Sequence, residues 1–208
     1  MLSSRKGGGR YFNLFTFKDN TYTSGKWGTA VASNEVSNGL SFGGNSTNGE
    51  IYKVPVIRNN DGVKCDIMLQ SIPTGSGRTD VAIFYKEMEY KADGINKYTP
   101  TTFSQGWTKG KHVSTKSSCY STMILQADGR IAFLFEEEPG SYCIVYIPYT
   151  IEEITGGVYT IDTEATGINP THLSTNHSQP SAIYDLFGRQ AAKVHEGIYI
   201  VDGKKVIY

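Results

Sequence analysis

Two Asp-Gly turns, each between short alternating apolar segments, are the feature of this sequence that most limits its fold. "RNNDG" at 58–62 separates "EIYKVPVI" from "KCDIMLQSI", and "ADG" at 127–129 separates "YSTMILQ" from "RIAFLFEE". Such a turn between alternating runs predicts a β-hairpin, because aspartate and glycine tolerate the positive φ that tight turns need. Further alternating runs are "RYFNLFTF", "DVAIFYKEMEY" and "YCIVYIPYT", and only "IEEIT" is predicted to form a helical turn. The chain is therefore predicted to be all-β, a meander of antiparallel strands as in a sandwich or propeller blades.

Bulk composition excludes several classes of partner. The 208 residues carry 20 basic and 20 acidic side chains, so no global field attracts nucleic acid or an anionic membrane. No apolar run is long enough to span a bilayer, and "MLSSRKGGGRYFN" lacks the apolar region of a signal peptide. The histidines form no ligand pattern, and we expect neither a metal nor a cofactor.

The three cysteines, Cys65, Cys119 and Cys143, are too few and too widely spaced for a disulfide framework or a metal site. Cys119 and Cys143 fall on neighbouring predicted strands. A bond between these two remains an alternative to free, buried thiols.

Composition divides the chain into three parts. The stretch at 164–181, "EATGINPTHLSTNHSQPS", is polar and predicts a linker between a β domain at 1–163 and a small β tail at 182–208. The tail segments "IYDLFGRQ" and "GIYIVDGKK" resemble the C-terminal sorting domain of proteins exported by the type IX system of Bacteroidetes. That resemblance implies a secreted or surface-displayed protein whose tail contacts the export machinery. A small β appendage without a sorting role is the alternative.

Three pieces of the main body resemble, in order, the C-terminal part of bacterial exo-sialidases, which are glycoside hydrolases built on a six-bladed β-propeller. They are "MLSSR", "GRTDVAIFY", and "SCYSTM" followed by "IAFLFEE". The match implies that Arg5 and Arg78 are the second and third arginines of a triad that binds the substrate carboxylate. It implies that Tyr120 is the nucleophile and that Glu136 braces the first arginine of the triad. "STNGEIYKV", which contains Glu50, falls where the family has a segment lining the site.

The chemistry of sialic acid explains why these residue types belong together. Its anomeric carbon carries a carboxylate, which would repel the carboxylate nucleophile of most glycosidases, whereas a neutral phenol avoids that repulsion. A phenol with a pKa of about 10 needs an adjacent base. Guanidinium groups bind a carboxylate in a planar fork and keep their charge. Arg10 is the alternative to Arg5, which is preferred because it ends the predicted strand; Glu137 and Glu138 are expected to be solvated.

The departures from the family pattern predict a fragment. The chain starts at the second arginine, so the first arginine, the acid/base aspartate and the glutamate base would lie upstream, and no Asp-box repeat is intact. Residues 1–163 would make about three blades of ~40–50 residues each. The resemblance therefore implies a retaining exo-sialidase acting on sialylated glycans, with little activity in this chain alone. The alternatives are a non-catalytic surface carbohydrate-binding β domain, which would use aromatics such as Trp27 and Trp107, and a remnant without function.

Overall fold

The structure is a computed structural model, and it describes most of the first 167 residues and the backbone of short strands beyond them. The described residues are 1–7, 9–19, 21–42, 47–141, 143–167, 183–185, 198–201 and 204–207. The chain divides into two compact units, Met1–Pro170 and Thr171–Tyr208. No helix in these described ranges has the length and apolarity needed to cross a membrane.

The first unit is mostly β, as predicted. Its strands are β1 (Leu2–Lys6), β2 (Gly9–Asn13), β3 (Phe15–Phe17), β4 (Gly25–Trp27), β5 (Val31–Ala32), β6 (Ile51–Arg58), β7 (Lys64–Pro73), β8 (Val81–Glu87), β9 (Thr108–Ser114), β10 (Ser118–Leu125), β11 (Ile131–Glu137), β12 (Cys143–Tyr149) and β13 (Tyr159–Ile161). Short helices are α1 (Pro100–Phe103), α2 (Ile151–Thr155) and α3 (Thr163–Thr166), with 3-10 turns at Glu35–Ser37, Ser76–Arg78 and Pro139–Ser141. The partial propeller of about three blades remains a prediction.

The two Asp-Gly hairpins form as predicted. Strands β6 and β7 pair antiparallel on either side of the first turn, and β10 and β11 do so around the second. Gly62 and Gly129 have φ values of 71° and 84°, the region that a residue with a Cβ atom avoids. The hairpins extend into a five-stranded sheet ordered β13-β6-β7-β8-β9 and a three-stranded sheet ordered β10-β11-β12.

The five-stranded sheet lies between two other layers, and its central strands are buried on both faces. All residues from Ile67 to Pro73 in β7 are buried. Leu69 belongs to the same buried cluster as Phe133 of β11, whereas its neighbour Met68 belongs to a cluster with Phe12 of β2. Successive side chains of a strand point to opposite faces, so β7 contributes to two cores at once.

The alternating run "RYFNLFTF" was predicted as one strand, and the structure breaks it at Leu14 into β2 and β3. The Leu14 backbone N–H donates to Oδ1 of Asn13 at 2.9 Å. This local side-chain bond replaces a ladder hydrogen bond and lets the chain leave the first sheet. Strand β3 then pairs with β4 in a separate hairpin.

Helix α2 confirms the predicted helical turn at "IEEIT". Thr150 caps it: its side chain accepts from the Glu153 N–H, while the Glu153 carboxylate accepts from the Thr150 N–H, a capping box. Ile151 and Ile154 are fully buried against the core shared by β7 and β11. The helix ends at Gly156, whose φ of 66° provides a left-handed cap.

Helix α3 lies at the start of the predicted linker, and residues 168–181 of that linker are outside the described ranges. Asp162 caps this helix, accepting from the backbone N–H groups of Glu164 and Ala165 at 3.1 Å each. In the second unit, β14 (Ile183–Asp185), β15 (Ile198–Val201) and β16 (Lys204–Ile207) form one antiparallel sheet. Its sorting role remains a prediction.

Replacing Asp162 with alanine is expected to lower the free energy of unfolding by about 0.5–2 kcal/mol, the usual effect of losing an N-cap. The hydrogen bond from Ala165, supported by the charge of Lys64, holds the pKa of Asp162 below its ordinary value. A group whose pKa is lower in the folded state stabilises the protein at pH values above its unfolded-state pKa of about 3.9. That stabilisation is lost as the pH falls through the folded-state pKa. Urea unfolding at pH 7 and pH 3 should therefore show a smaller difference between wild type and variant at pH 3; an equal difference would contradict this assignment.

Candidate active site

The site lies where β1 meets the start of β10. The Arg5 guanidinium, at the end of β1, donates from Nη1 to the Tyr120 hydroxyl oxygen at 3.4 Å. Its Cζ atom is 5.6 Å from the centroid of the Tyr120 ring. Strand β1 is held against the central sheet by Ser3, whose hydroxyl donates to Oε1 of the buried Gln70 at 2.7 Å. Two of the predicted site residues, 115 positions apart, are therefore in contact.

A β-bulge presents Tyr120 to the solvent. Ser118 pairs with Glu137 and Ser121 with Phe135, so β10 has one more residue than β11 between these pairs. The backbone N–H of Tyr120, released from the regular ladder, donates to Oε2 of Glu136 at 3.3 Å. Tyr120 is 40% exposed, so its phenol is open to solvent.

Arg78 reaches the same bulge from the turn between β7 and β8. Its Nη1 donates to the Cys119 sulfur at 3.1 Å, one residue before Tyr120. Arg78 has a φ of 66° and follows Gly77 at 65°. A non-glycine residue in this region costs about 1–3 kcal/mol, and such strain is concentrated at functional sites. The turn therefore directs Arg78 to Cys119, the residue before Tyr120, at a cost to local stability.

Glu136 and Glu137 at the end of β11 have different partners, and Glu138, which follows the strand, shares Lys116 with Glu137. The resemblance implied that Glu136 braces the first arginine of the triad, which is neither Arg5 nor Arg78; in the structure its carboxylate accepts from the Tyr120 backbone N–H. Glu137 was expected to be solvated, but its carboxylate has two partners in the structure. Ser114 donates to it at 2.6 Å and Lys116 at 3.2 Å. The Ser114 hydrogen bond, aided by Lys116, holds the pKa of Glu137 below its ordinary value. Glu138 is exposed and also contacts Lys116 at 3.4 Å.

An open groove of about 370 Å³ begins at Tyr120 and follows the outer face of the β10-β11-β12 sheet. It is lined by Asn48, Tyr120, Ser121, Thr122, Leu134, Phe135, Glu136 and Ile144. Glu50 lies at its edge, where its carboxylate accepts from the Thr122 hydroxyl at 3.1 Å. Thr122 is two residues from Tyr120 in β10, so the structure brings Glu50 to the same face as the phenol.

Residues 47–50, which include Asn48 of the lining and form the wall of the groove, are held against β7 by Ser71. The Glu50 backbone N–H donates to the Ser71 hydroxyl at 3.3 Å, and that hydroxyl is 2.7 Å from the Ser121 hydroxyl. Gly49 makes this approach possible, because a Cβ atom there would lie 2.1 Å from the Ser71 carbonyl oxygen. One buried serine therefore connects the wall, the central sheet and β10.

Replacing Gly49 with alanine is expected to push the wall away from β7 and to destabilise the fold by about 1–3 kcal/mol, as overpacking usually does. Gly140→Ala is the matched control, because a Cβ atom at Gly140 meets nothing within 4 Å. Thermal unfolding measures the destabilisation, and the 1H–15N shifts of Asn48 and Glu50 report the displacement of the wall. Unchanged shifts and stability in Gly49→Ala would show that the wall does not depend on this contact.

The cysteines are all free thiols. The expectation that Cys119 and Cys143 lie on neighbouring strands is wrong, because β11 lies between β10 and β12. Glu137 of β11 pairs with Ser118 on one side and with Cys143 on the other. Within the described ranges no group of three His, Cys, Asp or Glu side chains is arranged to hold a metal ion.

The described residues form a mostly β protein in which Arg5 contacts Tyr120 and Arg78 contacts the neighbouring Cys119. An open groove begins at Tyr120, with Glu136 in its lining and Glu50 at its edge. Comparisons with protein-family models, with curated proteins and with solved structures found no match to this chain.

Proposed function

We propose that this chain carries the nucleophile and the carboxylate-binding arginines of an exo-sialidase, which releases terminal sialic acid from glycoconjugates with retention. The observation that carries the proposal is the convergence of Arg5 and Arg78 on the bulge that presents Tyr120. Arg5 contacts the Tyr120 hydroxyl, and Arg78 contacts Cys119, the residue before Tyr120. Chance placement of surface arginines gives no reason for both to reach neighbouring residues of one bulge.

In this reaction Arg5 and Arg78 bind the substrate carboxylate through charge-assisted hydrogen bonds. The Tyr120 oxygen attacks the anomeric carbon; its proton passes to a base and the leaving oxygen takes a proton from an acid. Water then gives a proton to the base and attacks the same anomeric carbon, the bond from that carbon to the Tyr120 oxygen breaks, and the phenolate takes a proton from the acid. Glu136 holds the Tyr120 backbone in the bulge, which fixes the direction of attack.

The resemblance assigns the general acid and base of this reaction to segments upstream of the strand that carries Arg5. We therefore propose that this chain binds sialic acid and turns over little or not at all by itself. A fluorogenic sialoside assay measures this directly. Turnover near that of ordinary sialidases would contradict the fragment hypothesis without affecting the assignment of Tyr120.

Binding of N-acetylneuraminate to the chain, followed by NMR titration, tests the site itself. One charge-assisted hydrogen-bonded contact contributes about 1.5–3 kcal/mol, so Arg5→Met is expected to weaken binding by about 10- to 150-fold. Arg130→Met is the control, since Arg130 pairs with Asp128 in the second hairpin turn. Absence of binding to wild type, or equal binding by the Arg5 variant, would contradict the proposal.

A second candidate function, a non-catalytic carbohydrate-binding surface, is favoured by the β3–β4 hairpin. Phe15 contacts Phe17 and Trp27 edge to face at 5.1 and 5.2 Å, and Phe17 contacts Tyr22 at 5.1 Å. Trp27 is 52% exposed and Tyr22 is 68% exposed, so ring faces are open to a sugar. Trp107, also named from the sequence, is buried between Phe12 and Phe103 and is not available.

Glycan-array binding distinguishes the two candidates. Binding that is lost in Trp27→Ala and survives Tyr120→Phe and Arg78→Ala would favour the hairpin. The reverse pattern would favour the Tyr120 groove.

For the whole protein we propose secretion or surface display through the tail. Deletion of residues 182–208 should leave the protein in the periplasm, and unchanged export would contradict a sorting role.

A further inference from the structure

Arg10 is a buried cation without a counter-charge. It lies on β2 directly opposite Arg5 in the β1–β2 register, and it is 2% exposed. Within the described ranges no carboxylate lies within ion-pair distance of it, and its Nε has no hydrogen-bond partner. Its Nη2 donates to the Thr47 carbonyl oxygen, while the buried Thr47 hydroxyl also lacks a partner.

This arrangement is unfavourable in the protein without ligand. Like charges directly opposite each other on paired strands destabilise a sheet, and a buried cation without a partner loses its hydration uncompensated. Burial, with a smaller contribution from Arg5, lowers the pKa of Arg10 to about 10. A fold that keeps two arginines in this relation gains stability when an anion binds beside them.

Arg10 also supports the groove. Thr47, whose carbonyl it holds, precedes Asn48, which lines the groove with Tyr120. The opposite end of this wall is held by Ser71 through the Glu50 backbone. The wall is therefore fixed at one end by a neutral hydroxyl and at the other by a buried positive charge.

We propose that Arg10 is a positioning residue that makes the site selective for a carboxylate ligand, because its uncompensated charge reinforces Arg5 and its guanidinium holds the groove wall. The inference rests on the proposed function, in which Arg5 binds the carboxylate of sialic acid. Arg10 acts from within the fold and does not touch the ligand.

The test compares the affinity of the chain for N-acetylneuraminate and for its uncharged methyl ester, at several salt concentrations. Arg10→Met is expected to weaken binding of the acid by about tenfold and to flatten its salt dependence, because long-range attraction between charges is screened by salt. Binding of the methyl ester should change less than threefold. Arg10→Lys keeps the charge, so binding should show the salt dependence of wild type again. The 1H–15N shifts of Asn48 in the groove wall should still differ from those of wild type.

The outcomes separate this inference from the function on which it rests. If Arg5→Met weakens binding of the acid and Arg10→Met does not, the inference is overturned and the proposed function stands. Equal losses for acid and methyl ester in both Arg10 variants would also overturn it, since they show a structural role alone. If wild type binds neither ligand, the proposed function fails and this inference fails with it. Arg130→Met should match wild type throughout.

Discussion

A loss of sialidase turnover by about 10³-fold or more is expected when Tyr120 is replaced by phenylalanine, as for the removal of other hydrolase nucleophiles. The measurement uses the chain extended upstream by the segments to which the resemblance assigns the general acid and base. Phenylalanine keeps the ring that packs beside Arg5 and removes only the oxygen that would form the bond to the anomeric carbon. Binding of N-acetylneuraminate should stay within threefold of wild type, because the Arg5–Tyr120 hydrogen bond is long, at 3.4 Å.

Tyr146→Phe is the matched control for this variant. Tyr146 lies on β12 of the same sheet, is 50% exposed, and donates to the Gln126 side chain at 3.0 Å. It should retain wild-type turnover. Turnover by Tyr120→Phe within tenfold of wild type would exclude Tyr120 as the nucleophile, and the groove would then have to be interpreted as a binding surface.

Phe133→Ala is expected to lower the free energy of unfolding by about 3–5 kcal/mol, the range for a buried phenylalanine whose site cannot collapse. Phe133 is fully buried in the cluster that joins β11 to β6, β7 and β8. Its ring stacks on Phe135 with centroids 5.2 Å apart. Removing it takes away contacts from both sheets, and both sheets are needed to bring Arg78 to the bulge in β10.

Ile144→Ala provides the comparison for Phe133→Ala. Ile144 is on β12, in the same sheet, but is 71% exposed, so its loss should change stability by no more than about 0.5 kcal/mol. Urea unfolding of both variants measures the difference. Similar effects for the two would mean that the two sheets do not share a core, and the site described above would lose its structural support.

The parts of the fold that the sequence predicted are those decided within a few neighbouring residues. The hairpins at Gly62 and Gly129 and the capped turn at Thr150 each follow from local backbone preference. Strand breaks were less predictable. Alternation continued through Leu14, but the strand ends where the Leu14 backbone N–H donates to the Asn13 side-chain oxygen.

The candidate site residues were found through resemblance, and their arrangement was not predictable from local pattern. The segment "SCYSTM" does not by itself predict a bulge, because a bulge depends on the register with β11. The positive φ of Arg78 could likewise not be predicted from the sequence, because the residue at this position is not glycine. Glu50, a turn-exposed glutamate by pattern, reaches the groove only because Gly49 lets the backbone approach Ser71.

Arg10 and Trp107 show the same limit for burial. An arginine such as Arg10 is expected at the surface, and Trp107 was predicted to be available for stacking on sugars. Both residues are almost fully buried. Each was enclosed by elements distant in sequence: Arg10 by the segment at Thr47, and Trp107 by Phe12 of β2. Periodicity describes one strand at a time and carries no information on which layer covers it.

By itself the sequence determined the class of fold and the hairpins, because turn chemistry and side-chain alternation act over a few residues. Only the tertiary structure decided that Arg5 contacts Tyr120 and Arg78 contacts the preceding Cys119, and that the Glu136 carboxylate accepts from the Tyr120 backbone. It also decided that Arg10 is buried with no counter-charge among the described residues. These relations join segments up to 115 residues apart. They arise from the stacking of sheets, which depends on all the buried faces together rather than on any single segment.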